Sequence, residues 1–355
     1  MNKPLVSVCV PTADRAEFLE RSLQGIRAQE YRNLEILIGD NASTDATREV
    51  CLRVSERDPR IRYVRREKDI GMYPNHNDLI DRSRGEFLCF LHDDDEFDAA
   101  LIREEVAFLE RHSGAGLVSP DWNLIDEQGR LLGMRRHDVP ELRDGAAYIE
   151  KTLRSGQSSI GLSGTMIRRS ALENSRFDPE GPTGFSDFAL WCEIAERWRV
   201  GHIPKQLYSY RLHTRSLSRR SALSISKDYR RAMIGFCDGH LKRFPSDERT
   251  VRRWRMLIDR YLFWMLGYEI CLHFSGRKWE SRNENRYRTV FQMMDYRLTD
   301  EEFQEALIQF RAMPGGPIET AARTLINGLL VAHWTWPLGR LAPHAPAFRG
   351  LLRLQ

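Results

Sequence analysis

The sequence predicts an α/β fold, with a mostly parallel central sheet followed by a helical C-terminal region. Three observations carry this. Short β-prone runs alternate with helix-period segments from residue 5 to residue 111, the pattern of βαβ units. The apolar runs end in polar clusters, where an open sheet of this kind would place its ligand. Composition then changes: residues 1–215 carry 31 Lys+Arg against 36 Asp+Glu, whereas residues 216–355 carry 23 against 14 and hold five of the eight tryptophans. The expected division is a first domain over residues 1–220 and a helical region over 221–355.

Each element has a local reason. Leu5–Val10 is a continuous β-prone run ending at Pro11, as a strand buried on both faces would be. Asp14 with Glu17 three residues on reads as a capping box, and Leu19, Leu23 and Ile26 then share a helical face. Leu34–Gly39 is a second strand, ending at Asp40. Residues 43–57 read as a helix opened by Ser43 or Asp45, Ile61–Val64 as a third strand and 73–82 as a helix. Glu86–Leu91 is a fourth strand running into His92-Asp93-Asp94-Asp95. Less regular sequence follows, with candidate strands at 116–119 and 164–167 and a helix at 187–197. Helical patterns dominate beyond Ser224.

Composition narrows the function. The 355 residues are 41% hydrophobic and 29% charged, which is ordinary globular usage. A net charge of +4 is too small for a dedicated nucleic-acid binder. The N-terminal apolar run is too short for a signal peptide, and no run of 18 apolar residues exists. The expectation is a cytoplasmic protein. None of the six cysteines forms a C-x-x-C pair, so zinc-ribbon and redox readings lack support and buried thiols are expected. No Walker-type loop, H-E-x-x-H or G-x-S-x-G occurs.

The chemistry gathers at the strand ends. Thr12, Asp14 and Arg15 follow the first strand, Asp40, Asn41, Ser43 and Asp45 the second, and the triple aspartate the fourth. Three adjacent carboxylates repel one another unless a cation or hydrogen-bond donors offset the charge. Mg²⁺ or Mn²⁺ would suit them, being hard ions that take oxygen ligands. The competing reading is an N-cap cluster for a helix over 99–111.

Val6–Arg15, Leu34–Asp45 and Arg84–Asp95, in that order and spacing, resemble the motifs of family 2 glycosyltransferases of the GT-A fold. The resemblance spans roughly residues 4–215 and implies transfer of a sugar from a nucleotide-sugar donor, UDP-linked by family habit, with inversion at the anomeric carbon. It implies that Thr12 and Asp14, with Arg15 beside them, line the nucleoside. It further implies that Asp40 meets the base, that Asp93 holds the ribose, and that Asp94 or Asp95 binds the divalent metal. The segment Gly71–Asn77 resembles the part flanking the nucleotide, leaving Asn77 as a supporting residue or a helix cap. Asp187, at the expected start of a helix, matches the catalytic base, with Glu193 as the alternative. Tyr208–Ser218 resembles a segment after the base, read as a loop, whose His213 would complete the metal shell and whose Arg211 or Arg215 would clamp the diphosphate.

The implied acceptor is a hydroxyl of a glycan or lipid-linked molecule, in cell-surface polysaccharide synthesis. A non-catalytic nucleotide-sugar-binding subunit and a metal-dependent phosphohydrolase are the rival readings. The C-terminal region, with arginines among Trp and Leu, fits either peripheral contact with the inner membrane face or a homo-oligomer contact.

Overall fold

The computed structural model describes residues 3–182, 184–213 and 222–275. The elements in chain order are β1 (Val6–Thr12), α1 (Ala16–Arg27), β2 (Leu34–Asp40), α2 (Thr47–Arg57), β3 (Ile61–Arg65), α3 (Met72–Arg82) and β4 (Phe87–Phe90). Next come β5 (Glu96–Phe97), α4 (Leu101–Arg111), β6 (Ala115–Ile125), β7 (Leu131–Arg135), β8 (Leu142–Arg143), α5 (Gly145–Ser155) and β9 (Thr165–Arg168). The last are α6 (Arg169–Leu172), α7 (Ser186–Ala195), β10 (Arg199–Arg211), α8 (Ala222–Arg243) and α9 (Glu248–Ser275). One compact unit takes in residues up to 219 and 228–258; the described residues 222–227 and 259–275 belong to a second.

The sheet order is β3-β2-β1-β4-β9-β6-β10-β5, with β7 on β6 and β8 on β10. β1 to β4, β6 and β10 run in one direction, and β9 is inserted between β4 and β6 against them. The short β5, β7 and β8 also run antiparallel to their partners. β1, β2 and β4 are buried along their whole length, which is why they read as unbroken apolar runs rather than alternating ones. α1 buries Phe18, Leu19, Ser22, Leu23 and Ile26, one stripe at helical spacing.

Register decides where the polar loops emerge. Thr12 at the end of β1 lies opposite Asp40 at the end of β2. Cys9 pairs with Phe90, so the loops after β1, β2 and β4 leave the sheet at one edge. β9 enters at the same edge. Gly164 donates its backbone N–H to the Phe90 carbonyl at 2.9 Å, with φ +68°, and a Cβ there would lie 2.6 Å from the Tyr208 ring. Glycine is needed at that position on both counts.

Several local expectations are corrected. Asp14 does not cap α1: it sits at φ +52°, and its carboxylate turns to the loop after β2. α2 starts at Thr47 rather than at Ser43, because residues 41–46 are held in that same loop. The triple aspartate is not a helix cap. It precedes β5, while α4 begins six residues later and Asp98 accepts the Ala100 N–H at 2.8 Å. Residues 208–211 are the end of β10 rather than a loop, paired with Trp122–Ile125 of β6. Cys9, Cys51, Cys89, Cys192 and Cys237 are buried and free.

α8 lies within the first unit from residue 228 on. Tyr229 donates its hydroxyl to the Leu153 carbonyl at 2.9 Å and stacks edge-on to Phe185. His240 and Arg243 reach Glu196, just past α7, at 2.8 Å each. Among the described residues no helix is long and apolar enough to cross a membrane. The tail 321–355, with its basic and aromatic residues, lies outside the described residues.

Candidate active site

The loops after β1 and β2 are laced together. The Asp14 carboxylate accepts the Thr44 N–H at 2.6 Å and the Thr44 hydroxyl at 3.1 Å. Its own N–H goes to the Ser43 hydroxyl at 2.9 Å. The Arg15 N–H donates to Thr47 and the Ala16 N–H to Asp45. These backbone donors hold Asp14 below the usual carboxylate range. Asp40 is fully buried. It accepts the Ser43 N–H at 2.8 Å and the Tyr63 hydroxyl at 2.6 Å, with Arg65 at 3.3 Å. Its carboxylate therefore orders the loop over 41–45.

The acidic loop meets this wall. Thr12 and the Arg15 charge both act on Asp93, yet burial and the neighbouring Asp94 charge push Asp93 up. Asp95 is raised well above the ordinary range by burial and by Asp94. Burial opposes the charge on Asp94 too, but a hydrogen bond from His213 and the charges of His92 and Arg15 outweigh it, and Asp94 is lowered. The three carboxyls are thus coupled, and His213 and Arg15 favour the charged form of Asp94.

His213 Nε2 lies 3.0 Å from Asp94 Oδ2, and its ring stacks on Phe18 at 5.0 Å. The structure thus places His213, expected in the metal shell, against Asp94. Arg211 is different. Its guanidinium is 1% exposed and donates to the carbonyls of Asp94 (2.8 Å), Asp126 (3.0 Å) and Glu127 (3.2 Å), and to the Glu96 carboxylate. Its backbone N–H donates to Asp95 Oδ1 at 3.0 Å. Arg211 therefore fastens the acidic loop to β10 and does not stand open as a phosphate clamp. Arg215 lies outside the described residues.

The residues present fit a divalent cation. His92, Asp94 and Asp95 each offer a ligand atom, all within 4.8 Å of one another. Asp95 Oδ2 and His92 Nε2 are buried without hydrogen-bond partners, which is costly unless something else satisfies them. His92 was passed over in the sequence, although it directly precedes the triplet at a strand end.

Asp187 occupies the first turn of α7. Burial raises its carboxyl from the ordinary 3.8 to about 6, against the pull of the Phe188 N–H. Its Oδ1 has no partner. The charge of Asp187 also helps to raise the buried Tyr73 hydroxyl, which accepts the Gly184 N–H at 3.0 Å. Tyr73 packs on His76 (6.1 Å between ring centroids) and His76 on His92 (5.8 Å). A continuous aromatic path on α3 therefore joins the Asp187 turn to the acidic loop. Burial lowers His76 to about 3 and keeps it neutral. Asn77 is no helix cap, lying inside α3, and its amide clamps both backbone groups of Phe177 (2.8 and 3.0 Å). Glu193 faces Arg243 at 3.7 Å and is raised mainly by burial.

Comparison with known proteins agrees with this architecture. Residues 7–176 match the family Glycosyl transferase family 2. A GalNAc(5)-diNAcBac-PP-undecaprenol beta-1,3-glucosyltransferase of Campylobacter jejuni is 28% identical over 237 residues, which is 66% of this chain and 72% of that protein. TuaG of Bacillus subtilis, named for teichuronic acid biosynthesis, is 28% identical over 217 residues, 61% of this chain and 82% of that one. Among solved structures, S. aureus TarS 1–349 in complex with UDP-GlcNAc aligns with a TM-score of 0.59 at 15% identity, covering 90% of this chain and 87% of that one. A mannosyltransferase from Pyrobaculum calidifontis, solved with GDP-Man and Mn²⁺, aligns with a TM-score of 0.51 at 17% identity, covering 100% and 89%. The fold is that of GT-A enzymes. The match of residues 7–176 and these relatives identify the protein as a glycosyltransferase.

Proposed function

We propose that the protein is an inverting, metal-dependent glycosyltransferase. It moves a sugar from a nucleoside diphosphate donor, with uracil as the base, to a hydroxyl of a glycan or lipid-linked acceptor in cell-surface polysaccharide synthesis. The observation that carries this reading is the pairing of two carboxyl environments. A charged, shared acidic loop lies at the ends of β1 and β4, and a desolvated, half-unpartnered Asp187 opens α7. The names of the bacterial relatives support the acceptor class.

Asp93 holds the ribose against Thr12, and Asp40 acts on the base through the loop that it orders. Asp94 and Asp95, with His92 or His213, would hold Mn²⁺ or Mg²⁺. When bound, that ion supplies the charge that stabilises the departing diphosphate. Arg15 adds positive charge beside Asp93 and Asp94. Asp187 takes the proton from the acceptor hydroxyl as its oxygen bonds to the anomeric carbon. The bond to the diphosphate oxygen breaks on the opposite face, so the configuration inverts. Burial suits Asp187 to this task, because it strengthens the base relative to an exposed carboxylate.

A thermal-shift series with UDP, GDP and their sugars, with and without Mn²⁺, tests the donor side. A melting-temperature rise with UDP that requires Mn²⁺ and is lost in Asp94→Asn is the expected result. The absence of any nucleotide response overturns the reading. On the acceptor side, Asp187→Asn is expected to keep that response while transfer falls about 10²–10⁴-fold.

A further inference from the structure

A second cluster of ligating side chains lies on the far strands of the sheet, away from the acidic loop in sequence. Asp121 is on β6, His202 on β10, and His137 follows β7. Asp121 Oδ1 lies 3.0 Å from His137 Nδ1 and 3.6 Å from His202 Nε2. The three ligand atoms all fall within 4.8 Å of one another. Asp121 and His202 are 3% and 1% exposed.

Hydrogen bonding to Asp121 accounts for the placing of His137 but not for that of His202. The His137 backbone N–H also donates to Asp121 Oδ1, at 2.9 Å, which fixes the chain so that both of its groups converge on one oxygen. His202 Nε2 faces that oxygen beyond hydrogen-bonding distance and has no partner, nor does His137 Nε2. A buried ring nitrogen left bare is costly unless a ligand satisfies it.

We propose that Asp121, His137 and His202 form a binding site for one divalent transition ion of the zinc class. Two imidazoles and one carboxylate suit Zn²⁺ or Co²⁺ better than Mg²⁺ or Ca²⁺, which prefer oxygen donors throughout. Three protein ligands leave a fourth position open. Arg143 indicates what fills it. Its guanidinium, 8% exposed, bonds Ser159 at 2.8 Å and carries Nε and Nη1 without partners. Its charge acts on both imidazoles, as that of Arg136 does on Asp121 and those of Arg135 and Lys151 do on His137. A dication beside these cations needs an anion with it, so the fourth ligand is an anionic oxygen such as hydroxide. The ion pins β6, β10 and the chain after β7 together.

Co²⁺ titration of the chelator-treated full-length protein in excess Mg²⁺ tests this, read by the visible ligand-field bands of four-coordinate Co²⁺. One equivalent is expected to bind with such bands in the wild type and in Asp94→Asn, so that failure of the acidic loop is told apart from failure here. The bands should be lost in His202→Gln and in His137→Gln, with folding checked by circular dichroism. His137 is the less buried ligand, so its variant remains informative if His202→Gln does not fold. Zn²⁺ should displace Co²⁺ and raise the melting temperature of the wild type but not of the His137 variant. Absence of the bands in the wild type, or their survival in the His137 variant, overturns the proposal.

Discussion

At the residue scale, the base role proposed for Asp187 ties catalysis to stability. Its carboxyl is raised from 3.8 to about 6 by burial, so the folded chain holds a proton that the unfolded chain has lost between those values. Stability from this group is therefore complete below about pH 4 and gone above about pH 6. The gap corresponds to about 3 kcal/mol. Asp187→Asn removes the buried charge and keeps the shape, so it should stabilise the enzyme by about 1–3 kcal/mol at pH 8 while abolishing transfer, as denaturant melts and a transfer assay would show. The same ionisation predicts a pH–rate profile whose acid limb falls with an apparent pKa near 6. A profile flat down to pH 5 would remove Asp187 from the base role. The identity of Asp187 as a residue of interest was legible from its place before an apolar helix. Its desolvation was not, because Tyr73, which holds the turn at Gly184, comes from a distant part of the sequence.

At the element scale, β10 is the part that the sequence concealed. Arg199–Arg211 carries Pro204, Lys205 and Gln206 in its middle, and its pairing with β6 shifts register at those positions. Period-2 patterning is interrupted there, so only tertiary pairing identifies the strand. Its last residue does the work expected of a different group: Arg211 fastens the acidic loop from beneath. Arg211→Lys keeps the charge but cannot reproduce bonds to the carbonyls of Asp94, Asp126 and Glu127 at once. The variant should lose about 3–5 kcal/mol of stability by chemical denaturation, and its Mn²⁺-dependent response to UDP should weaken. If nucleotide affinity changes while stability does not, Arg211 contacts the donor after all. The parallel strands β1, β2 and β4 were legible for the opposite reason. They are buried on both faces, so their sequence needs no alternation.

At the scale of the whole molecule, α8 belongs with the catalytic unit from residue 228 on. Phe236 is 2% exposed and stacks on Trp254 at 5.2 Å. Phe236→Ala should cost about 3–5 kcal/mol, measured as a lower denaturation midpoint without change in the slope. A loss below 1 kcal/mol would mean that these helices add little to the unit. The composition shift near residue 215–225 located a change in the sequence but could not show that the helix after it folds back onto Leu153, Phe185 and Glu196. Periodicity reports which face of a helix is apolar and is silent on what that face covers.

The reversed direction of β9 has a corollary. A strand laid against its neighbours presents its beginning, rather than its end, at the edge where the polar loops emerge. Ser163 receives the His92 N–H there at 3.3 Å, so the chain approaching β9 arrives beside the acidic loop as a separate supply line. Its length and residues can change without redrawing any strand of the sheet, so the edge beside the acidic loop can be reshaped independently of the strands.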